Sequence, residues 1–282
     1  MNDKRIKSSN DFGDNNVFLK YSKNLSENGV LELDNSYESS DSLNEINKYC
    51  DEKLKENINN NLPVITLSYI HKKNSIVEKI LTDPKINFIV KNYLGDDARL
   101  DLISLSITQN CSNQSIISEK WHYDNVGKRL KMFFYLNDNN DICTDYVKGT
   151  NSVFHKSYST DGSRLNKKII NKLNDKIISF FPKKNKILFF DTNGYHRGNY
   201  KNITNKVSKN ILSYRRILKF EFSSSKKSDL FYGKSNTIGV RGTFFSNDFN
   251  FIDCKLIDQK YLSKIENNYF FYDKDYKYYN NY

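Results

Sequence analysis

Apolar residues recur at helical spacing up to Gly95 and alternate singly with polar residues beyond it. A chain divided in this way, with no strand–helix–strand alternation, is restricted to an antiparallel β core with helices packed beside it. In the front part, Leu43, Ile46, Cys50 and Leu54 share one helical stripe behind the capping pair Ser42 and Glu45, and the run Asn59 to Asn61 ends it. A second helix is predicted from Ser75, with Glu78 as its capping partner. A third opens at Asp83-Pro84, carries Ile86, Ile89, Val90 and Tyr93 on one face, and stops at Gly95.

Past Gly95, Ile103, Leu105 and Ile107 alternate with Ser104, Ser106 and Thr108, which predicts a half-buried strand. Further strands are expected over Lys131–Leu136, Lys186–Asp191 and Lys209–Phe222, with one helix between them over Asn166–Lys176. The fold class is therefore mainly β with N-terminal helices (α+β). The polar stretch 1–20 reads as a mobile arm, and 21–265 as a single domain. Its helical front is 40–95, its β core about 98–222 and its C-terminal extension 223–265; 266–282 is a Tyr/Asn-rich tail.

Of the 282 residues 38% are hydrophobic and 14% aromatic, enough for one substantial core. No apolar run approaches the roughly 20 residues of a membrane span, and Met1 to Asn10 are polar, which leads to the expectation of a cytoplasmic protein with reduced thiols at Cys50, Cys111, Cys143 and Cys254. Net charge is +11, but Lys and Asn enrichment pervades the loops as well, so the sum is weak evidence for a nucleic-acid partner. Its distribution says more: residues 1–60 hold 8 Lys+Arg against 12 Asp+Glu, whereas residues 160–225 hold 15 against 4.

Among the four histidines, His122 has Asp124 two residues on, and in an extended segment both side chains point the same way. His196 follows the strand ending at Asp191, 72 residues beyond Asp124, so a shared site needs two strands brought together. Two imidazoles and one carboxylate that leave three positions open are the facial donor set of non-haem Fe(II) oxygenases. His71 and His155 have no carboxylate at that spacing and read as structural. Trp121, Phe133, Phe134, Phe189 and Phe190 read as core. Lys131 and Tyr135 would face a cavity in one strand register and not in the other.

Several ordered segments then resemble one family, the phytanoyl-CoA dioxygenase (PhyH)-like Fe(II)/2-oxoglutarate-dependent oxygenases. They are Leu25-Ser-Glu-Asn-Gly-Val-Leu31, Asp83 to Gly95, Trp121-His-Tyr-Asp124 with Leu130 to Asp138, Tyr146 to Asn151, and Ile187 to Gly198. The resemblance implies a double-stranded β-helix, a jelly-roll or cupin-like core. It implies His122, Asp124 and His196 as metal ligands, Fe(II) and O2 as cofactors, and 2-oxoglutarate as co-substrate. It also implies a cation on the strand after the distal His to hold the far carboxylate of 2-oxoglutarate. Alignment puts Lys209 at that position, where the family has Arg, and Arg215 is the second candidate. Six residues of strand separate the two by about 20 Å, so one carboxylate cannot use both. Asn151 stands where many members have His. Asp124 argues against the halogenating relatives, in which a small residue replaces the carboxylate.

The function expected is hydroxylation of a small organic substrate, with an acidic one favoured by the basic window, and with release of succinate and CO2. Neither a membrane nor nucleic acid is expected as a partner. Two alternatives stand beside it: a non-catalytic jelly-roll module binding anionic partners, and a cupin-like metal enzyme of non-oxidative type.

Overall fold

A computed structural model describes residues 15–34, 41–57, 64–68, 75–81, 83–95, 98–109, 117–124, 129–152, 165, 167–200 and 214–224. Helix α1 (Asn15–Asn28) begins inside the stretch expected to be a mobile arm. It is held because Leu25 is fully buried and Tyr21 packs on the same core. Gly29 ends it with φ 73°, and its amide donates to Leu25 O at 2.8 Å. Helices α2 (Asp41–Asn57), α3 (Ser75–Leu81) and α4 (Pro84–Leu94) follow as the spacing predicts. Asp83 caps α4 by accepting from the Lys85 amide at 2.8 Å. A cap contributes about 1 kcal/mol, whereas each buried side chain among Ile86, Ile89, Val90 and Tyr93 contributes about 1.5–3 kcal/mol. Packing, rather than local helix preference, therefore holds α4 in place.

Among the described residues nine strands form two antiparallel sheets. They are β1 (Val30–Leu33), β2 (Val64–Ser68), β3 (Ala98–Gln109), β4 (Arg129–Tyr135), β5 (Cys143–Val147), β6 (Ile177–Phe180), β7 (Ile187–Asp191), β8 (His196–Asn199) and β9 (Tyr214–Ser224). The large sheet runs β1-β7-β4-β9-β3-β2 and the small one β6-β5-β8. The helix predicted over Asn166–Lys176 is shorter: α5 (Lys167–Asn171) gives way to a 3-10 turn at Asn174–Lys176. The front part is not purely helical, since β1 and β2 form the two edges of the large sheet.

Period-2 geometry assigns the two faces of that sheet. On β4 and β9, Leu130, Met132, Phe134, Leu218, Phe220 and Phe222 join the core shared with helices α2 to α4. Arg129, Lys131, Phe133, Tyr135, Arg215, Ile217, Lys219 and Glu221 alternate with them and so lie on the opposite face. On β3 the polar face is largely removed from solvent: Ser104 is 0% and Thr108 2% exposed, and Ser106 between them is half-buried. The strand expected to be half-buried is thus largely buried on both faces, because Ser106 and Thr108 turn inward toward a cavity. That cavity measures about 160 Å³ and takes residues from both sheets. Among the described residues no helix is long and apolar enough to cross a membrane. Cys50 and Cys143 are buried free thiols. Cys111, Cys254, His71, His155, Lys209, the C-terminal extension and the tail lie outside the described residues.

Candidate metal centre and cosubstrate cavity

His122 lies in the extended segment between a 3-10 turn (Ile117–Glu119) and β4, and His196 opens β8. They form a single antiparallel bridge: the His122 amide donates to His196 O at 3.0 Å, and the His196 amide donates to His122 O at 2.8 Å. Directly opposed residues project to the same side, and the imidazole centroids are 4.3 Å apart. The Asp124 amide donates to Thr192 O at 2.7 Å, which fixes the carboxylate on that side as well.

Each imidazole is oriented by a backbone carbonyl. Nδ1 of His122 lies 2.8 Å from Lys120 O, and Nδ1 of His196 lies 2.8 Å from Gly194 O. A carbonyl only accepts, so Nδ1 carries the proton in both rings and each neutral ring keeps its lone pair on Nε2. Both Nε2 atoms look toward Asp124 Oδ1, at 3.7 and 3.9 Å, and the three donor atoms lie within 4.8 Å of one another.

The turn that presents His196 is itself anchored. Asp191, 3% exposed, accepts from Tyr93 Oη at 2.5 Å, from the Asn193 amide at 2.7 Å and from Asn193 Nδ2 at 2.9 Å. Tyr146 Oη donates to the Asp191 carbonyl at 3.1 Å. Gly194 is required by close approach: a Cβ there would stand 1.8 Å from Tyr146 Oη. Asn151, which replaces a usual histidine of the resembled family, donates to Ser26 O at 3.1 Å and to Tyr93 Oη at 3.3 Å, and so belongs to this anchoring.

Lys131 faces the cavity, so the register settles the choice left open by the sequence: its Nζ donates to Asp124 Oδ2 at 2.5 Å. Burial pushes the Asp124 carboxyl up, but the Lys131 ammonium beside it outweighs that and holds the group well below the usual carboxylate range. Burial likewise opposes the charge on Lys131, and Asp124 with Glu221 overcomes it, raising the ammonium pKa. Tyr135, on the same face, is fully buried. Phe133 and Phe190 line the cavity, while Phe134 and Phe189 are core. Trp121 is 9% exposed and packs under the Arg197 guanidinium, whose carbon is 4.7 Å from the ring centroid.

Arg215 stands in the same cavity. It is 7% exposed, donates to Thr144 Oγ1 at 3.3 Å and to Tyr200 Oη at 3.5 Å, and its buried Nε has no hydrogen-bond partner. Among the described residues no carboxylate pairs with it. Sequence reading passed over Arg197, Lys219 and Tyr200, all of which line the cavity. Lys219 was findable, because every second residue from Arg215 along β9 shares one face. Arg197 and Tyr200 were not, since β8 has no strand-like composition. The basic window divides accordingly: Arg197, Arg215 and Lys219 reach the cavity, whereas Lys167, Lys168, Lys172, Lys176, Lys183 and Lys184 are exposed.

No family model matches this sequence, and no curated protein sequence matches it. Solved structures do. The epimerase SnoN, in complex with Fe3+, alpha ketoglutarate and nogalamycin RO, superposes with a TM-score of 0.56 at 11% identity, over 82% of this chain and 96% of SnoN. EctD from S. alaskensis, with 2-oxoglutarate and 5-hydroxyectoine, gives 0.51 at 15% identity over 74% of this chain and 76% of EctD. HygX from Streptomyces hygroscopicus, with nickel and 2-oxoglutarate, gives 0.50 at 11% identity over 73% and 86%. The fold is the double-stranded β-helix of non-haem iron, 2-oxoglutarate-dependent enzymes. At these identities the likeness speaks to architecture; the chemistry must be argued from the residues of this chain.

Proposed function

We propose that this chain is an Fe(II)- and 2-oxoglutarate-dependent dioxygenase that hydroxylates a small, acidic organic substrate. The observation that carries the reading is that the two Nε2 atoms and Asp124 Oδ1 converge on one point beside the backbone bridge between His122 and His196. Two imidazoles and one carboxylate oxygen suit ferrous iron and leave open positions for a chelating keto acid and O2. The carbonyls of Lys120 and Gly194 keep both rings in the tautomer a metal needs. Bound iron with 2-oxoglutarate and O2 supplies the oxidising power, and the protein supplies binding and orientation.

We assign the far carboxylate of 2-oxoglutarate to Arg215. What supports this is a buried guanidinium that faces the cavity with an Nε that has no hydrogen-bond partner, an arrangement suited to a carboxylate. Lys209, the position favoured by alignment, lies outside the described residues. The lean toward an acidic substrate rests on the concentration of basic residues in 160–225, since within the cavity Lys131 and Lys219 face Glu221, Arg197 pairs with Asp145 at 2.8 Å, and Arg215 is assigned to 2-oxoglutarate. The resemblance to phytanoyl-CoA dioxygenase-like proteins supports the reaction class and does not point to phytanoyl-CoA.

The test is succinate release from 2-oxoglutarate with Fe(II) in air, for the wild type and for His122→Ala and Asp124→Ala. The expected result is turnover in the wild type and its loss in both variants. Turnover unchanged in both would refute the assignment. Succinate release without 18O from O2 in the organic product would retain the cofactors and replace hydroxylation by another hydrogen-abstraction outcome.

A further inference from the structure

The two oxygens of Asp124 have different neighbours. Oδ1 faces the imidazole nitrogens at 3.7 and 3.9 Å, and Oδ2 accepts from Lys131 Nζ at 2.5 Å. Lys131 is held in turn. The β4–β9 register sets it opposite Glu221, whose Oε1 is 3.6 Å from Lys131 Nζ and 3.5 Å from Lys219 Nζ. Glu221 Oε2 takes Arg129 Nη2 at 3.3 Å. The ammonium therefore lies between two carboxylates, one beside the histidines and one anchored by two further cations. Among the described residues it has no comparable partner to turn to, and its side chain is 17% exposed.

We infer that Lys131 is a positioning residue that makes Asp124 a one-oxygen ligand, Oδ1 toward the metal and Oδ2 toward the ammonium. The inference rests on the metal reading above. A carboxylate can chelate through both oxygens, and doing so here would consume a position that a bidentate keto acid or O2 needs. A cation on the second oxygen forbids that mode. Glu221 offsets the added positive charge and fixes the lysine, so removing Lys131 alone leaves Asp124 and Glu221 as like charges across the gap. A rival reading of the same contact is that Lys131 competes with the metal for Asp124, and it predicts the opposite sign.

The experiment is anaerobic titration of Fe(II) into the full-length chain with 2-oxoglutarate present, following the visible charge-transfer absorption of the keto-acid chelate. The wild type is compared with Lys131→Met, Lys131→Arg and the double variant Lys131→Met/Glu221→Gln, with thermal unfolding and near-UV circular dichroism recorded for each. Loss of a group that orients a metal ligand typically weakens affinity about 10- to 100-fold. Lys131→Met should show that loss and an altered absorption band, Lys131→Arg should recover most of both, and the double variant should remain weak. If Lys131→Met does not fold, the double variant, which removes both opposite charges, carries the comparison. Iron binding by Lys131→Met as tight as or tighter than wild type, with an unchanged band, overturns the inference and leaves the metal reading intact. Full recovery in the double variant also overturns it, because the effect would then be charge balance alone. A wild type that takes up neither Fe(II) nor 2-oxoglutarate overturns both.

Discussion

Replacing Arg215 with Met should move stability and cosubstrate affinity in opposite directions. Without a ligand, Arg215 is a buried cation 7% exposed, with an orphaned Nε and two long hydrogen bonds, to hydroxyls at 3.3 and 3.5 Å. An unsatisfied buried donor costs about 1–3 kcal/mol, and an apolar side chain of similar length removes that cost. Unfolding of the ligand-free variant should therefore occur about 2–12 °C higher, at roughly 2–4 °C per kcal/mol for a chain of this size. With 2-oxoglutarate the sign reverses. Truncating one partner of a buried, hydrogen-bonded charge pair costs about 2–5 kcal/mol, which corresponds to roughly 30- to 4,000-fold in affinity at about 1.4 kcal/mol per decade. The assay is thermal unfolding of both proteins across a 2-oxoglutarate titration, with Co(II) in place of iron to prevent turnover. Wild type should gain stability with concentration, and the variant should start higher and gain almost nothing. A variant that still responds to 2-oxoglutarate at wild-type concentrations refutes the assignment and transfers the role to Lys209.

Two further outcomes follow from the packing and the charges. Gly194→Ala puts a methyl 1.8 Å from Tyr146 Oη, inside the turn that presents His196; we expect at least about 3 kcal/mol lost in urea unfolding, at the top of the range for overpacking, and an unchanged midpoint would show that the turn yields. Burial pushes the Glu221 carboxyl up, but Lys131, Lys219 and Arg129 pull it down and win, so its folded pKa lies below its unfolded one. Its stabilising contribution is then complete above the ordinary glutamate pKa near 4.3 and is lost as pH falls below it. The stability gap between wild type and Glu221→Gln should accordingly be constant from pH 6 to 8 and close below about pH 4, and a gap that widens on acidification would contradict the ion pairing.

Local signals were enough where structure is locally determined. Asp83, Pro84 and Gly95 bracket α4 because caps and proline act within one turn of chain, and its four-residue apolar stripe is all buried. Strands β1 and β2, of four and five residues, are strands because β7 and β3 pair with them, and nothing in so short a run shows that. β8 reads His-Arg-Gly-Asn and owes its form to β5. The same division holds at the site. Period 2 aligned His122 with Asp124, but the approach of His196 depends on backbone bonds across 74 residues, and the role of Lys131 on a cross-strand register with Glu221. Lys219 and Arg215 share a strand face by simple counting. What counting could not supply is which face of β9 looks inward.

The hydrogen bond from Tyr93 to Asp191 has a bearing on modularity. Tyr93 belongs to the last helix of the front layer, and Asp191 to the strand end from which the distal histidine is hung. A β-barrel excised from its helices would bury that carboxylate with one donor fewer and lose the brace on His196. The helical layer is therefore part of the instrument, and a minimal or grafted version of this barrel would have to carry a hydroxyl into that position before it could present His196 in the same place.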